Sequence, residues 1–426
     1  MLAVSQKGGC KMSTLIVALP FFDSKMSVTA YRLYSRNGAK LLGMMDSDIS
    51  ISDAIKAPGF DLVQDLGVEP LTGGLPLFVD FNEYHVLMRA PVSLGIPPEQ
   101  LICILPKDLK TDETTLERLS ELKELGFQLA VEGLPDGYTQ NPLFDLTDYI
   151  IYSISDHEIN DKFIATIKAL SSLKKLVLRS IHDMDTFNTL AKVPNILYCG
   201  SFFSRPLTKG AGKIAPLKIN ALNLLNQLSD DDFDLGDIAD IVGKDPSLSI
   251  SLLRFINTIM PRKIDSLRNA VAILGQKEVK RWATTAISIQ LSEDKPNEIS
   301  KLSLIRARFA ENLAGVFGLG VFSQNLFMLG LFSLLDIILE IPMEKAVDEV
   351  ALDVNVKAAL VEKSGTLYKV LEFIQAYEHA YWDEIAILIV KYNLNLEEVT
   401  TAFVDALKWY KQLLDAIPND TATEPK

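Results

Sequence analysis

The chain has 426 residues, 48% of them hydrophobic and 23% charged, so it can bury a large core and should divide into two or three domains. Its formal net charge of −13 argues against a sequence-independent nucleic-acid binder, because phosphate contacts need clustered lysine and arginine. Cys10, Cys103 and Cys199 are odd in number and lack C-x-x-C spacing, which argues against a disulfide framework or a zinc site and fits a reducing cytoplasm.

Residues 1–11 carry basic side chains with no long apolar core behind them, so no signal peptide is expected, and Met12 serves as well as Met1 for a natural start. After this extension, 1–13, short apolar runs at 16–19, 28–34, 77–81, 101–105, 127–131, 149–153, 175–178 and 196–199 read as strands. Segments 114–125 and 161–170 space their apolar residues as helices do. Strands alternating with helices imply a mostly parallel α/β sheet, and eight strands in under 200 residues suggest a small, modified barrel over 14–209. The Gly/Lys stretch 208–213 has no periodicity, which places a domain boundary at 209–210.

Beyond it nearly everything reads as helix: 217–228, 234–242, 248–259, 266–274, 279–291, 302–317, 326–340, 343–349, 355–362, 366–376, 382–392 and 396–414. Asp245-Pro246-Ser247 stands where a helix start belongs, and Pro342 ends another helix. The most apolar run, 326–335, falls short of the ~20 residues a membrane span needs and reads as a buried helix. Residues 210–415 are therefore expected to form an all-α domain, followed by a polar, disordered tail at 416–426.

Two segments resemble the opening and closing signatures of the EAL domain, the barrel that hydrolyses cyclic di-GMP. They are Ala30-Tyr31-Arg32-Leu33-Tyr34-Ser35-Arg36 and Gly200-Ser201-Phe202-Phe203-Ser204-Arg205-Pro206. The second half resembles the HDOD output domain, a helical relative of the HD phosphohydrolases. That likeness rests on Asp245-Pro246-Ser247-Leu248 leading into Leu253-Arg254-Phe255-Ile256-Asn257, on Ser266-Leu267-Arg268-Asn269-Ala270-Val271-Ala272-Ile273-Leu274-Gly275, and on Gly330-Leu331-Phe332-Ser333-Leu334-Leu335-Asp336. The order is similar to that of the YuxH-type signalling proteins, and the matches cover roughly 15–414. The resemblance implies a modified TIM-like (β/α) barrel of EAL type followed by a helical, HD-related HDOD bundle.

It also implies where a site would lie. EAL phosphodiesterases hold hard divalent ions with oxygen ligands at strand ends. The glutamate that names the family is Arg32 here, whose fixed charge opposes a divalent cation. Asp80 stands where the family usually has asparagine and keeps a ligand. A glutamate position carries Cys103, a soft thiol that suits magnesium poorly, and the paired aspartates align with Glu132 and Gly133. The water-polarising lysine falls at Ile151, the following aspartate at Ser153, and the later glutamates at Arg179 and His182. Any one change reads as drift of a surface or core residue; together they imply loss of the metal set. Arg36 matches the arginine that contacts a phosphate of the dinucleotide, although the reading as a structural salt-bridging arginine outweighs that match, while Arg205 and Pro206 mainly shape the barrel end.

In the helix where an active HD domain carries its His-Asp pair, Ser333 and Leu334 stand instead. His85, His157, His182 and His379 include no i, i+4 pair, and the dipeptide His182-Asp183 is a weak signal at a strand-to-helix connection. Gly315-x-x-Gly318-x-Gly320 follows a helix and reads as its terminus and turn, and no P-loop or G-x-S-x-G elbow is found.

The expectation is a pseudoenzyme: no enzyme, no cofactor or metal, and a cytoplasmic bacterial adaptor presenting both folds to a sensor kinase, a response regulator or a similar partner. No nucleic-acid or membrane partner is expected, and the sequence leaves a homodimer open, barrels of the family it resembles commonly dimerising. The alternative is a cyclic di-GMP receptor using Arg36 with Arg32 and Arg179, whose guanidinium groups suit phosphate. A third reading keeps residual phosphodiesterase activity through Asp80 and Glu132.

Overall fold

A computed structural model describes residues 14–42, 63, 67–133, 140–155, 157–205, 214–228, 235–243, 246–259, 263–264 and 266–416. The expected extension 1–13, the boundary at 209–210, Asp245 and the tail from 417 lie outside the described residues.

All eight expected strands form, each within a few residues of its predicted limits. They are β1 (Thr14–Phe22), β2 (Val28–Asn37), β3 (Leu77–Asp80), β4 (Leu101–Pro106), β5 (Gln128–Glu132), β6 (Tyr149–Ser153), β7 (Lys175–Ile181) and β8 (Ile196–Gly200). They close into a barrel in chain order. Pairing is parallel from β2 through β6 and between β7 and β8, while β1 meets β8 antiparallel with Phe22 opposite Tyr198. The parallel strands read as unbroken apolar runs because both their faces are covered: the first five residues of β4, Leu-Ile-Cys-Ile-Leu, are all buried.

Short polar side chains start the helices between them. Asp112 accepts from the Thr115 N–H, Asn160 from Phe163 and Asp183 from Thr186, each at 2.8–3.0 Å, capping the helices Glu113–Glu124, Asp161–Leu173 and Met184–Leu190. Aromatic rings pack behind the closing strand. Phe202 stacks on Phe187 at 4.6 Å and meets Phe22 edge-on at 5.3 Å, and the buried Tyr198 donates from its hydroxyl to the Leu190 carbonyl at 3.0 Å.

By proximity the chain gathers into two units: residues 1–19, 30–152 and 376–402, and residues 20–29, 153–375 and 403–426.

From 216 onward the described elements are helices. The two expected helices 266–274 and 279–291 lie in the run Leu267–Leu291 and are parted by a kink at Gly275, whose φ of 77° and ψ of 161° are not helical. By contrast, the single helix expected over 326–340 is two, Ser323–Phe332 and Leu335–Leu339, with Ser333 and Leu334 at the break. Apolar spacing continues across this junction, so hydrophobicity alone does not reveal it. The helix Asn297–Val316 packs on Ser323–Phe332 through Gly330, where an added Cβ would lie 2.5 Å from the Arg306 carbonyl. As expected, Gly318 follows the end of that first helix in a turn, with φ 67°. Among the described residues no helix is long and apolar enough to cross a membrane.

Candidate functional site at the strand ends

Arg32 lies on β2 with its side chain only 6% exposed. Its Nη2 donates to Asp80 Oδ1 at 2.8 Å and its Nη1 to Glu132 Oε2 at 2.7 Å. Asp80 ends β3 and Glu132 ends β5, so one guanidinium from the middle of β2 ties together the ends of two other strands. Its Cζ lies 4.8 Å from the centroid of the Tyr34 ring, two residues along the same strand and therefore on the same face. The Arg32 Nε is buried and makes no hydrogen bond among the described residues. Burial alone would lower the Arg32 pKa, but Tyr34, Asp80 and Glu132 outweigh it and push it further up, so the charge is permanent.

The remaining predicted positions in this unit carry no further ligand. Cys103 is fully buried in β4, in register with Val79 and Leu129, and burial pushes its thiol pKa up, which keeps it protonated. Gly133 follows β5 and donates its N–H to the carbonyl of Ile151 at 2.8 Å. Ile151, in register with Glu132, is buried and apolar where a lysine was sought.

Ser153, Arg179 and His182 belong to the second unit and have neighbours of their own. The Ser153 hydroxyl lies 2.7 Å from that of Ser155 and 3.2 Å from that of Ser180. Arg179 sits on β7 and accepts at its backbone carbonyl from Ile154, and His182 Nδ1 is 3.2 Å from Ser201 Oγ. His182-Asp183 is a connection, as its sequence position suggested: Asp183 caps a helix and Thr186 lowers its pKa. Arg36, near the end of β2, and Arg205 are exposed, while Pro206 is outside the described residues.

Magnesium or manganese, the ions the EAL resemblance implies, would need the two carboxylates that Arg32 holds. Taking them would strand a buried guanidinium, and breaking such a pair typically costs about 3–5 kcal/mol. A divalent ion about 4 Å from that guanidinium would be repelled by roughly 8 kcal/mol at an effective dielectric near 20. Among the described residues no three His, Cys, Asp or Glu side chains gather as a metal requires. This donor set, as arranged, does not fit a divalent metal.

The helical half also buries an arginine, Arg306. Ser333 and Leu334 stand between two helices rather than inside one, a correction to the expected placement. Ser333 Oγ donates to the Gly330 carbonyl at 2.7 Å, closing the helix end, and accepts from Arg306 Nη1 at 2.9 Å. Arg306 is 4% exposed. Beside it, burial pushes the Asp336 carboxyl pKa up, opposed in part by backbone N–H groups and by Arg306. A raised carboxyl binds its proton more tightly in the folded chain, so this group's contribution to stability falls as pH rises from the ordinary carboxylate range through the raised value. Asp336→Asn, which keeps an oxygen for the Ile337 N–H, should therefore raise the urea midpoint at pH 7 and leave it unchanged at pH 3.5. Sequence reasoning missed both Tyr34 and Arg306: the i, i+2 spacing from Arg32 signals the first, and no local pattern marks the second.

Comparison with known proteins follows these two halves. Residues 214–367 match the HDOD domain family. The chain is 26% identical over 413 residues to the cyclic di-GMP phosphodiesterase CdgJ of Vibrio cholerae, covering 94% of this chain and 93% of CdgJ. It is 28% identical over 420 residues to YuxH of Bacillus subtilis, covering 95% of this chain and all of YuxH. Among solved structures, the calcium and cyclic di-GMP complex of Klebsiella pneumoniae BlrP1 matches at 17% identity with a TM-score of 0.37, over 49% of this chain and 60% of that one. An EAL domain protein of Listeria monocytogenes matches at 17% with a TM-score of 0.36, over 46% of this chain and 90% of that one.

Residues 214–367 thus match the HDOD domain family, and a closed barrel precedes them in the chain. As a whole it is a relative of YuxH and CdgJ. The expectation that it is not an enzyme is corrected by CdgJ, a relative along nearly the whole chain that is named a phosphodiesterase. That expectation rested on the combined loss of the family's ligand positions; the folded chain brings the two surviving carboxylates, Asp80 and Glu132, to one cluster around Arg32.

Proposed function

We propose that this chain is a cytoplasmic adaptor of cyclic di-GMP signalling. The barrel takes the dinucleotide at its strand ends, and the HDOD domain meets a signalling protein such as a sensor kinase or a response regulator. The observation that carries this reading is similarity along nearly the whole chain, barrel and HDOD domain together, to a protein named for cyclic di-GMP. Arg36 adds to it, as an exposed guanidinium near the end of β2, suited to phosphate.

Calorimetric titration with cyclic di-GMP tests the ligand: saturable binding is expected, at least ~10-fold weaker in Arg36→Ala, about 1.4 kcal/mol. Silence at millimolar ligand would refute the dinucleotide. Capture of a kinase or regulator that is indifferent to added cyclic di-GMP would refute the link between the two halves.

A second reading, hydrolysis of cyclic di-GMP, is favoured by the name of CdgJ and by the pairing of Asp80 and Glu132 in one cluster. It requires linear product to form faster with the parent protein than with Asp80→Ala.

A further inference from the structure

The chain presents a mismatch: a barrel similar to those of metal-dependent enzymes, with a cation of its own bonded to the carboxylates a metal would use. We propose that Arg32 is the resident cation of this site, so that the strand ends take a phosphodiester ligand without any divalent ion. The ligand class rests on the cyclic di-GMP reading above; the exclusion of the metal does not.

Asp80 and Glu132 without a counter-ion would present two negative charges to an incoming phosphodiester, which is itself an anion. A metal ordinarily removes that repulsion. Here a guanidinium does so, at 2.8 Å from Asp80 and 2.7 Å from Glu132, with a charge that no accessible pH removes. Its planar fork matches two carboxylates from different strands, a task lysine's single ammonium performs less well. Tyr34 lies against the guanidinium and limits its rotation. The Nε–H is left buried and without a hydrogen bond among the described residues, a donor directed at neither carboxylate. Arg32 thus supplies permanence and direction, which a loosely held ion lacks.

The exclusion is read directly by titrating manganese into the full chain and following the free-ion resonance. The parent is expected to take up none at the site, whereas Arg32→Gln removes the resident guanidinium from the carboxylates and gains one ion, lost again in Arg32→Gln with Asp80→Ala. Arg32→Lys, which keeps the charge, should stay like the parent, and circular dichroism on each variant confirms the fold. Stoichiometric uptake by the parent that Asp80→Ala abolishes would overturn the proposal, as would Arg32→Gln gaining no ion.

Calorimetry with cyclic di-GMP in magnesium and in EDTA tests the ligand half. The parent should bind equally in both, and Arg32→Gln at least tenfold more tightly with magnesium. Binding by the parent only in magnesium would overturn the proposal even with the dinucleotide reading intact. No binding in either buffer would sink the dinucleotide reading and with it the ligand clause, while the manganese result separately decides the metal clause.

Discussion

Gly200→Ala is expected to cost the barrel about 3 kcal/mol or more. Gly200 pairs with Ile181 just past a register shift in β7, where Ser180 takes a φ of 69°. The two backbones approach so closely that an added Cβ would lie 1.9 Å from the Ile181 carbonyl oxygen and 2.6 Å from its carbon and nitrogen. Neither is the end of a flexible side chain, so relief requires moving a strand. Moving β8 disturbs its antiparallel contact with β1 and the Phe22, Phe187 and Phe202 cluster behind it. Urea unfolding followed by aromatic circular dichroism should show an early loss of the barrel signal. Gly320→Ala is the control: nothing lies within 4 Å of its added Cβ, and a change within about 0.5 kcal/mol is expected. An unchanged midpoint in Gly200→Ala would mean the β7–β8 approach is looser than described.

Arg32→Glu should destabilise the chain by about 3–5 kcal/mol in EDTA and recover much of that in manganese. The substitution replaces two ion pairs with three carboxylates in one cluster. The partial exposure of Asp80 and Glu132, 56% and 32% at the side chain, lets water absorb part of the repulsion and favours the low end of the range. Three oxygen side chains are also the donor set a hard cation wants, so an ion at about 100 times its dissociation constant would return about 2.7 kcal/mol. Thermal melts of parent and variant with EDTA or manganese report the difference directly: the parent should not respond to the ion. A parent melt that rises with manganese as much as the variant's does would show that Arg32 does not displace the metal.

Much of the fold was legible in the chain because the signals were local. Each parallel strand announced itself as a short apolar run, as Leu101–Pro106 does, since a strand covered on both faces has no polar side to show. The helices announced themselves by spacing, and the loss of alternation after residue 207 marked the change of architecture. Legibility failed where continuity and geometry disagree. The 326–340 stretch is two helices because Ser333 turns back on the Gly330 carbonyl, a break that apolar spacing hides, whereas the glycine that parts the helices within Leu267–Leu291 was visible in the chain.

The candidate site divides in the same way. The sequence by itself determined that an arginine stands where a glutamate names the family, that Asp80 and Glu132 survive as carboxylates, and that Cys103 and Ile151 are poor ligands, because these are statements about residue identity. Only the tertiary structure decided what those identities amount to. Arg32 reaches partners 48 and 100 residues away, and Arg306 reaches Ser333 across 27, because strand and helix packing bring side chains together regardless of their separation in the chain. A buried charge must find such partners or be expelled, so the fold that buries Arg32 also determines that Asp80 and Glu132 serve it.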